Sequence, residues 1–328
     1  MKGFLETYGV AIFTLVLMAI LIAMAGPFGV RIKEYMLEKA NYTNQIGSEE
    51  IGKATNNEDK SDDDVAAMNE LYACLYTNGE LAISATPIDN SARTDVARDY
   101  GKFELKNFDP DIDEFENPYV PWFVDRGKIT TVNILNQIKP TTCSEWFNNC
   151  YNLAEIKNIE NLNTSACTEM VEMFSDCSSL TSLDASNWDT SACTDMSSMF
   201  SYCDSLISLD ASNWDTSTCI DMSCMFSDCS SLTSLDVSNW KTSACISMLS
   251  MFSYCSSLTS LDASNWDTSA CTDMSSMFAM SFQFKTLSGH QLSGSCDEKT
   301  QYCREHIFDM SNVENCENMF VSGDGEIM

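Results

Sequence analysis

The sequence predicts an α/β solenoid whose coils each carry a short strand and a short helix, placed after an N-terminal transmembrane helix and a small β-rich cap. Three observations predict it. The dipeptide Met-Phe recurs at 173, 199, 225, 251 and 277, a period of 26 residues, and such a period marks a stacked repeat. Within each unit a strand-like alternation gives way to a helix-like apolar spacing. At the other end of the chain, residues 7–30 carry no charge.

Taking the elements in order, the uncharged run from Thr7 to Val30 has 24 residues, against the ~20 that span a hydrocarbon core. Residues 1–40 are therefore read as a transmembrane anchor with a juxtamembrane helix, although Ala23, Ala25 and Gly26 leave a cleaved signal open. Lys2 on one side and Arg31, Lys33 and Lys39 on the other do not fix an orientation. Outward display of the repeats at the cell surface is the expectation. The start MKGFLETYG also resembles a type IV prepilin leader, with Glu6 third rather than fifth after Gly3. Residues 41–64 are polar and acidic, the composition of a solvated linker. A β-rich cap follows over 65–140. There Asn78-Gly79 between two apolar runs signals a hairpin with strands near 70–76 and 80–85. The stretch 89–117 is charged and weakly patterned, and KITTVNIL from Lys128 restores a strand pattern.

The repeat array is placed at 141–328. One unit reads MFSDCSSLTSLDASNWDTSACTDMSS. Leu180, Leu183 and Ala185 recur as L-x-x-L-x-A, a short strand with Leu183 and Ala185 inward and Ser182, Asp184 and Ser186 outward. After Trp188, the residues Cys193, Met196, Met199 and Phe200 follow at spacings of three, six and seven, which fits one face of a short helix. A unit of 26 residues cannot bury that face alone, whereas stacked units cover one another. The final interval, Met277 to Met319, is 42 residues, so an insertion of 16 is placed at about 279–300.

MFSDCSSLTSLDASNWDTSACTDMSSMF resembles the BspA-like leucine-rich repeats, a type also described as a domain of unknown function in mycoplasma lipoproteins and bacterial surface proteins. The resemblance covers about 128–320 and rests on Met-Phe-x-x-Cys, Ser-Leu-x-x-Leu-Asp and Asp-Thr-Ser in fixed register. It implies leucine-rich-repeat-type coils on a bacterial surface, used for adhesion or protein binding, with no reaction and no cofactor. Val313 stands where Cys193, Cys219, Cys245 and Cys271 stand in other units.

Composition narrows the function further. The chain has 18 Lys+Arg against 48 Asp+Glu, a net charge of −30, which excludes a nucleic-acid partner because that affinity comes from Lys and Arg. Two cysteine columns run through the array, one through Cys150, Cys177, Cys203, Cys229 and Cys255, the other through Cys167, Cys193, Cys219, Cys245 and Cys271. Buried free thiols, disulfides between coils and a metal site are the three readings. A catalytic cysteine needs a base, and 141–278 holds no histidine, so no enzyme is expected. His290, Cys296, Cys303 and His306 could supply four zinc ligands, with a Cys296–Cys303 disulfide, or neither, as the alternatives. The Asp rows are solvated charge by default, with Ca²⁺ or a basic protein patch as the alternatives. The contact surface is placed on Ser182, Asp184, Ser186, Ser208, Asp210, Ser212, Ser234, Asp236, Ser238, Ser260, Asp262 and Ser264, together with the insertion. The expected partner is a host or neighbouring-cell surface protein, with the membrane engaged through residues 7–30. A pilin-like or envelope component whose repeats act as a spacer is the alternative.

Overall fold

Asn78 and Gly79 turn the chain back on itself, joining β1 (Glu70–Tyr76) to β2 (Glu80–Ser84) in antiparallel register. Gly79 has φ +84°, and a Cβ there would lie 2.6 Å from Thr130 Oγ1 and 2.8 Å from the Lys128 carbonyl, so only glycine fits. The computed structural model describes residues 65–107, 119–281, 283–293 and 296–320. The expected membrane span, juxtamembrane helix and 41–64 linker lie outside them.

On the far side of β1 lies β3 (Val96–Glu104), inside the stretch with no strand pattern in the sequence. It is an edge strand, mostly exposed and charged, and charge on an edge discourages pairing with other chains. Arg98 and Tyr100 of β3 both reach the buried Asp125 carboxylate at 3.0 Å, and Lys128 reaches it at 2.6 Å, which pins β3 to the 3-10 turn Phe123–Lys128. The other edge of the hairpin leads into the array. Here β4 (Thr131–Ile134) pairs in parallel with β2, and β5 (Glu155–Lys157) with β4, giving the order β3-β1-β2-β4-β5.

The units then stack in parallel. β6 (Ser182–Leu183) pairs with β7 (Ser208–Leu209), and β8 (Ser260–Leu261) with β9 (Thr286–Leu287). A second parallel ladder of single bridges runs Glu169, Asp195, Asp221, Ser247, Asp273, Asn315. As the alternation predicts, Leu183 and Ala185 are buried while Ser182 and Asp184 are exposed. The aromatic columns hold the stack together. Phe174, Phe200, Phe226, Phe252 and Phe278 follow one another at centroid distances of 5.3 to 5.7 Å. Trp188, Trp214, Trp240 and Trp266 follow at 6.1 to 6.4 Å. Trp122 of the cap stacks on Phe147, so cap and array share one apolar core.

The α/β solenoid of strand-plus-helix coils is not what forms. The described residues fold mainly as short strands in small sheets, single bridges and turns, and α1 (Cys296–His306) is the one α-helix among them. Where the apolar spacing predicts a helix, the backbone makes successive tight turns. Met199 N–H bonds to the Met196 carbonyl, Ser201 to Ser198 and Cys203 to Phe200, each three residues back. Ser198 and Tyr202 take left-handed φ of +55° and +59°. The intervening N–H groups of Met196, Ser198, Phe200 and Tyr202 donate to the carbonyls of Asp221, Ser223, Met225 and Ser227 in the next unit. A helix would spend those donors internally; the stack spends them between units and still buries Cys193, Met196, Met199 and Phe200.

A second correction concerns the membrane. Among the described residues no helix is long and apolar enough to cross one. The expectation of a helix-anchored, cell-surface protein therefore finds no support among the described residues, and the expected span at 7–30 lies outside them.

The extra residues of the last unit sit after Leu287. Thr286 and Leu287 keep the regular register against Ser260 and Leu261. A tight hairpin through Ser288 and Gly289, at φ +50° and +76°, leads to β10 (His290–Gln291) and then α1. Regular stacking resumes at Asp309, whose carbonyl accepts from Thr268 Oγ1 at 2.8 Å as that of Asp267 does from Thr242 at 2.9 Å.

Candidate functional site

The exposed rows are built by a local rule, Asp, any residue, Ser, which three of the four central units carry at three corners, Lys241 and Ser247 replacing two of the acids in the other. Asp184 Oδ1 accepts both the Ser186 N–H at 3.2 Å and its hydroxyl at 2.6 Å. Asp210 with Ser212 and Asp236 with Ser238 repeat the arrangement, and Asp262 accepts the Ser264 N–H at 3.0 Å. Asp189 with Ser191 turns the next corner, and Asp195 with Ser197 the one after. Side chains of this kind close a turn on their own backbone. The Ser186 and Ser264 hydroxyls, then their N–H groups, hold Asp184 and Asp262 below the usual carboxylate range. Each row is thus a file of carboxylates fixed by their own turns, with Oδ1 spent on the turn.

Of the contact residues read from the sequence, Ser182, Ser208, Ser234 and Ser260 are exposed, as are Asp184, Asp210, Asp236 and Asp262. Ser264 is exposed, while Ser186, Ser212 and Ser238 are half-buried in their Asp contacts. Successive units bring equivalent residues together, as the pairing of Ser182 with Ser208 shows. Among the described residues no three His, Cys, Asp or Glu side chains converge as a metal site.

Three of the four residues considered as zinc ligands have described side chains, and these do not converge. Cys303 is buried in the core, whereas His290 and His306 are exposed on either side of Tyr302. The Tyr302 hydroxyl lies 3.1 Å from His290 Nδ1, and its ring lies 4.6 Å from that of His306. Cys303 is free.

Both thiol columns are free, and most of their thiols donate to backbone carbonyls. Cys177, Cys203, Cys229 and Cys255 donate to the carbonyls of Phe147, Phe174, Phe200 and Phe226 in the preceding unit, at 3.0 to 3.2 Å. Cys193 and Cys219 donate to the carbonyls of Asp195 and Asp221 at 3.3 Å. Burial pushes the Cys150 and Cys271 thiols up to about 12, so neither is a thiolate at neutral pH.

Sequence reasoning missed two features. The Asp-x-Ser turns were legible as a spacing but were read as plain solvated charge. The left-handed positions, with the exposed Tyr202 and Tyr254 that occupy them, had no signal, because no glycine marks them.

No curated protein and no solved structure matches the chain. A family profile described as "Mycoplasma protein of unknown function, DUF285" matches residues 125–233, 184–292 and 206–324, overlapping as a 26-residue repeat must. With those matches running from 125 to 324, the stacked array and its junction with the cap are what the profile describes, and the chain belongs to this DUF285 family.

Proposed function

We propose that the chain is a non-catalytic protein-binding module of adhesion type, whose contact surface is the file of Ser and Asp side chains around Ser182, Asp184 and Ser186 and their equivalents in the next three units. The observation that carries this reading is the fixed carboxylate file: the turn holds one oxygen of each Asp, and the repeat sets the rows at a strand spacing of ~4.8 Å. Ordered charge on a rigid scaffold selects a partner with a complementary basic patch. From 141 to 328 the chain has 26 acidic and 5 basic residues, so association with such a partner is steered. The resemblance of the repeat to BspA-like surface proteins supports the same reading. So does the state of the thiols, which serve backbone carbonyls rather than a base.

The test uses the full chain and an immobilised oligolysine peptide as probe. Wild type is expected to bind saturably. A variant carrying Asp184→Asn, Asp210→Asn, Asp236→Asn and Asp262→Asn is expected to bind roughly tenfold more weakly, with a cooperative melt showing that it still folds. A control with Asp189→Asn, Asp215→Asn, Asp267→Asn and Asp309→Asn removes the same charge elsewhere. Equal loss in both variants would reduce the effect to net charge and overturn the reading, as would the absence of saturable binding.

A further inference from the structure

Each unit has a second left-handed position, occupied in turn by Asn149, Asp176, Tyr202, Asp228, Tyr254 and Met280. Tyr202 is 50% exposed and Tyr254 47%, although neither is needed to close the turn. Single exposed apolar side chains need no explanation. These two occupy the same position two units apart, with Asp228 between them and Asp176 before them. The acids lie near enough to Tyr202 to act on its hydroxyl. Tyr202 is pushed up first by the charge of Asp228, and Asp176 is pushed up by its burial and then by Asp204.

We propose that this corner binds an extended basic segment of a partner protein, with arginines laid over Tyr202 and Tyr254 and paired with Asp176, Asp204 and Asp228. The repeat sets the spacing. Two units at ~4.8 Å separate the tyrosines by about 9.6 Å, and one three-residue turn of an extended polyproline II chain covers about 9.3 Å and returns its side chains to one face, so arginine at every third residue fits. Arginine suits the corner better than lysine, because its planar group stacks on a ring while pairing with a carboxylate. The chain already makes this arrangement once. In the cap the Arg93 guanidinium lies 3.6 Å over the Tyr76 ring and 2.6 Å from Asp95. At Tyr202 and Tyr254 the ring and the acids are present and the cation would come from the partner. This inference does not require the Ser and Asp rows to bind anything.

The experiment titrates the full chain against a labelled peptide of about ten residues with Arg at every third position among Gly and Ser, at ~0.15 M salt to screen distant charge. An isomer with the arginines contiguous is the comparison. The spaced peptide is expected to bind more tightly than the isomer. Tyr202→Asn with Tyr254→Asn, which suits left-handed backbone, is expected to weaken it roughly fivefold to thirtyfold, while Phe at both positions leaves it within about twofold. Melting curves establish that the variants fold. Equal binding of the two peptides, or of the Asn variant and wild type, overturns the proposal in favour of unspecific charge attraction. Loss of peptide binding only in the Asp184, Asp210, Asp236 and Asp262 variant assigns the site to the rows and overturns the corner.

Discussion

At the scale of the residue, the inner cysteine column shows why a thiol recurs where the sequence alone suggests a small apolar filler. Cys229 is fully buried, and its Sγ donates to the Phe200 carbonyl at 3.1 Å, so the side chain fills space and satisfies an acceptor together. The chain contains its own substitution at this position. Ser281 stands where the column would place the next Cys, and its hydroxyl donates to the Phe252 carbonyl at 2.7 Å. The donor, then, is what the position keeps. Cys229→Ser should cost less stability than Cys229→Ala, by about 1 kcal/mol, as read from urea midpoints of the full chain. Equal costs would mean that the bond contributes nothing and that volume alone matters. The tryptophan column follows the same logic one position out. Trp214, Trp240 and Trp266 donate to the carbonyls of Ala185, Ala211 and Val237, but Trp188, the first of the column, has no partner among the described residues. The unit before it carries a 3-10 turn, Ile159–Asn161, in place of the regular corner.

At the scale of the element, the sequence was legible where one face of a strand decides the pattern and illegible where two backbones share one pattern. Leu183 inward and Asp184 outward follow from alternation alone, and the hairpin follows from Asn78-Gly79. The spacing of Cys193, Met196, Met199 and Phe200 does not choose between a helix and a pair of tight turns, since both point those side chains the same way. The choice is made by the neighbouring units, whose carbonyls take every second N–H, and a single unit read alone carries no trace of that. Nor did β3 show itself, because an exposed edge strand has no buried face to alternate. The candidate surface was half legible: the Ser and Asp rows were found, while the turns that fix them and the tyrosine corner were not. The two backbones make opposite predictions for one substitution. Ser250 sits at φ +53°. Ser250→Gly should be neutral or stabilising and Ser250→Val should cost about 1–2 kcal/mol, whereas in a helix the glycine would be the worse by a few tenths of a kcal/mol. Thermal melts of the two variants decide between them.

At the scale of the whole molecule, a net charge of −30 is carried by a fold that uses its carboxylates in two opposed ways, and the balance sets its response to pH. Asp184, Asp262 and Asp267 lie below the usual range because Ser hydroxyls and N–H groups hold them ionised, and Ser217 with Lys241 does the same for Asp215. For these groups the folded value is depressed, so their contribution is complete above the unfolded pKa of about 3.9 and is lost as pH falls through the lower folded values. Asp176 and Asp228 are raised, chiefly by burial and then, beyond what Ser227 gives back to Asp228, by Asp204. Their sign is reversed: ionised at neutral pH they weaken the fold, and protonation restores stability as pH falls through their raised values. Acidification from neutrality should therefore first raise the melting temperature, helped by declining self-repulsion, and then lower it steeply below about pH 4. Asp176→Asn with Asp228→Asn should flatten the rising limb and leave the falling one in place. A melting temperature that declines steadily from neutrality, or a double variant with an unchanged rising limb, would show that the corner acids are not strained. The tyrosine corner would then lose the electrostatic reason for seeking a cation, and would have to hold an arginine by ring stacking alone.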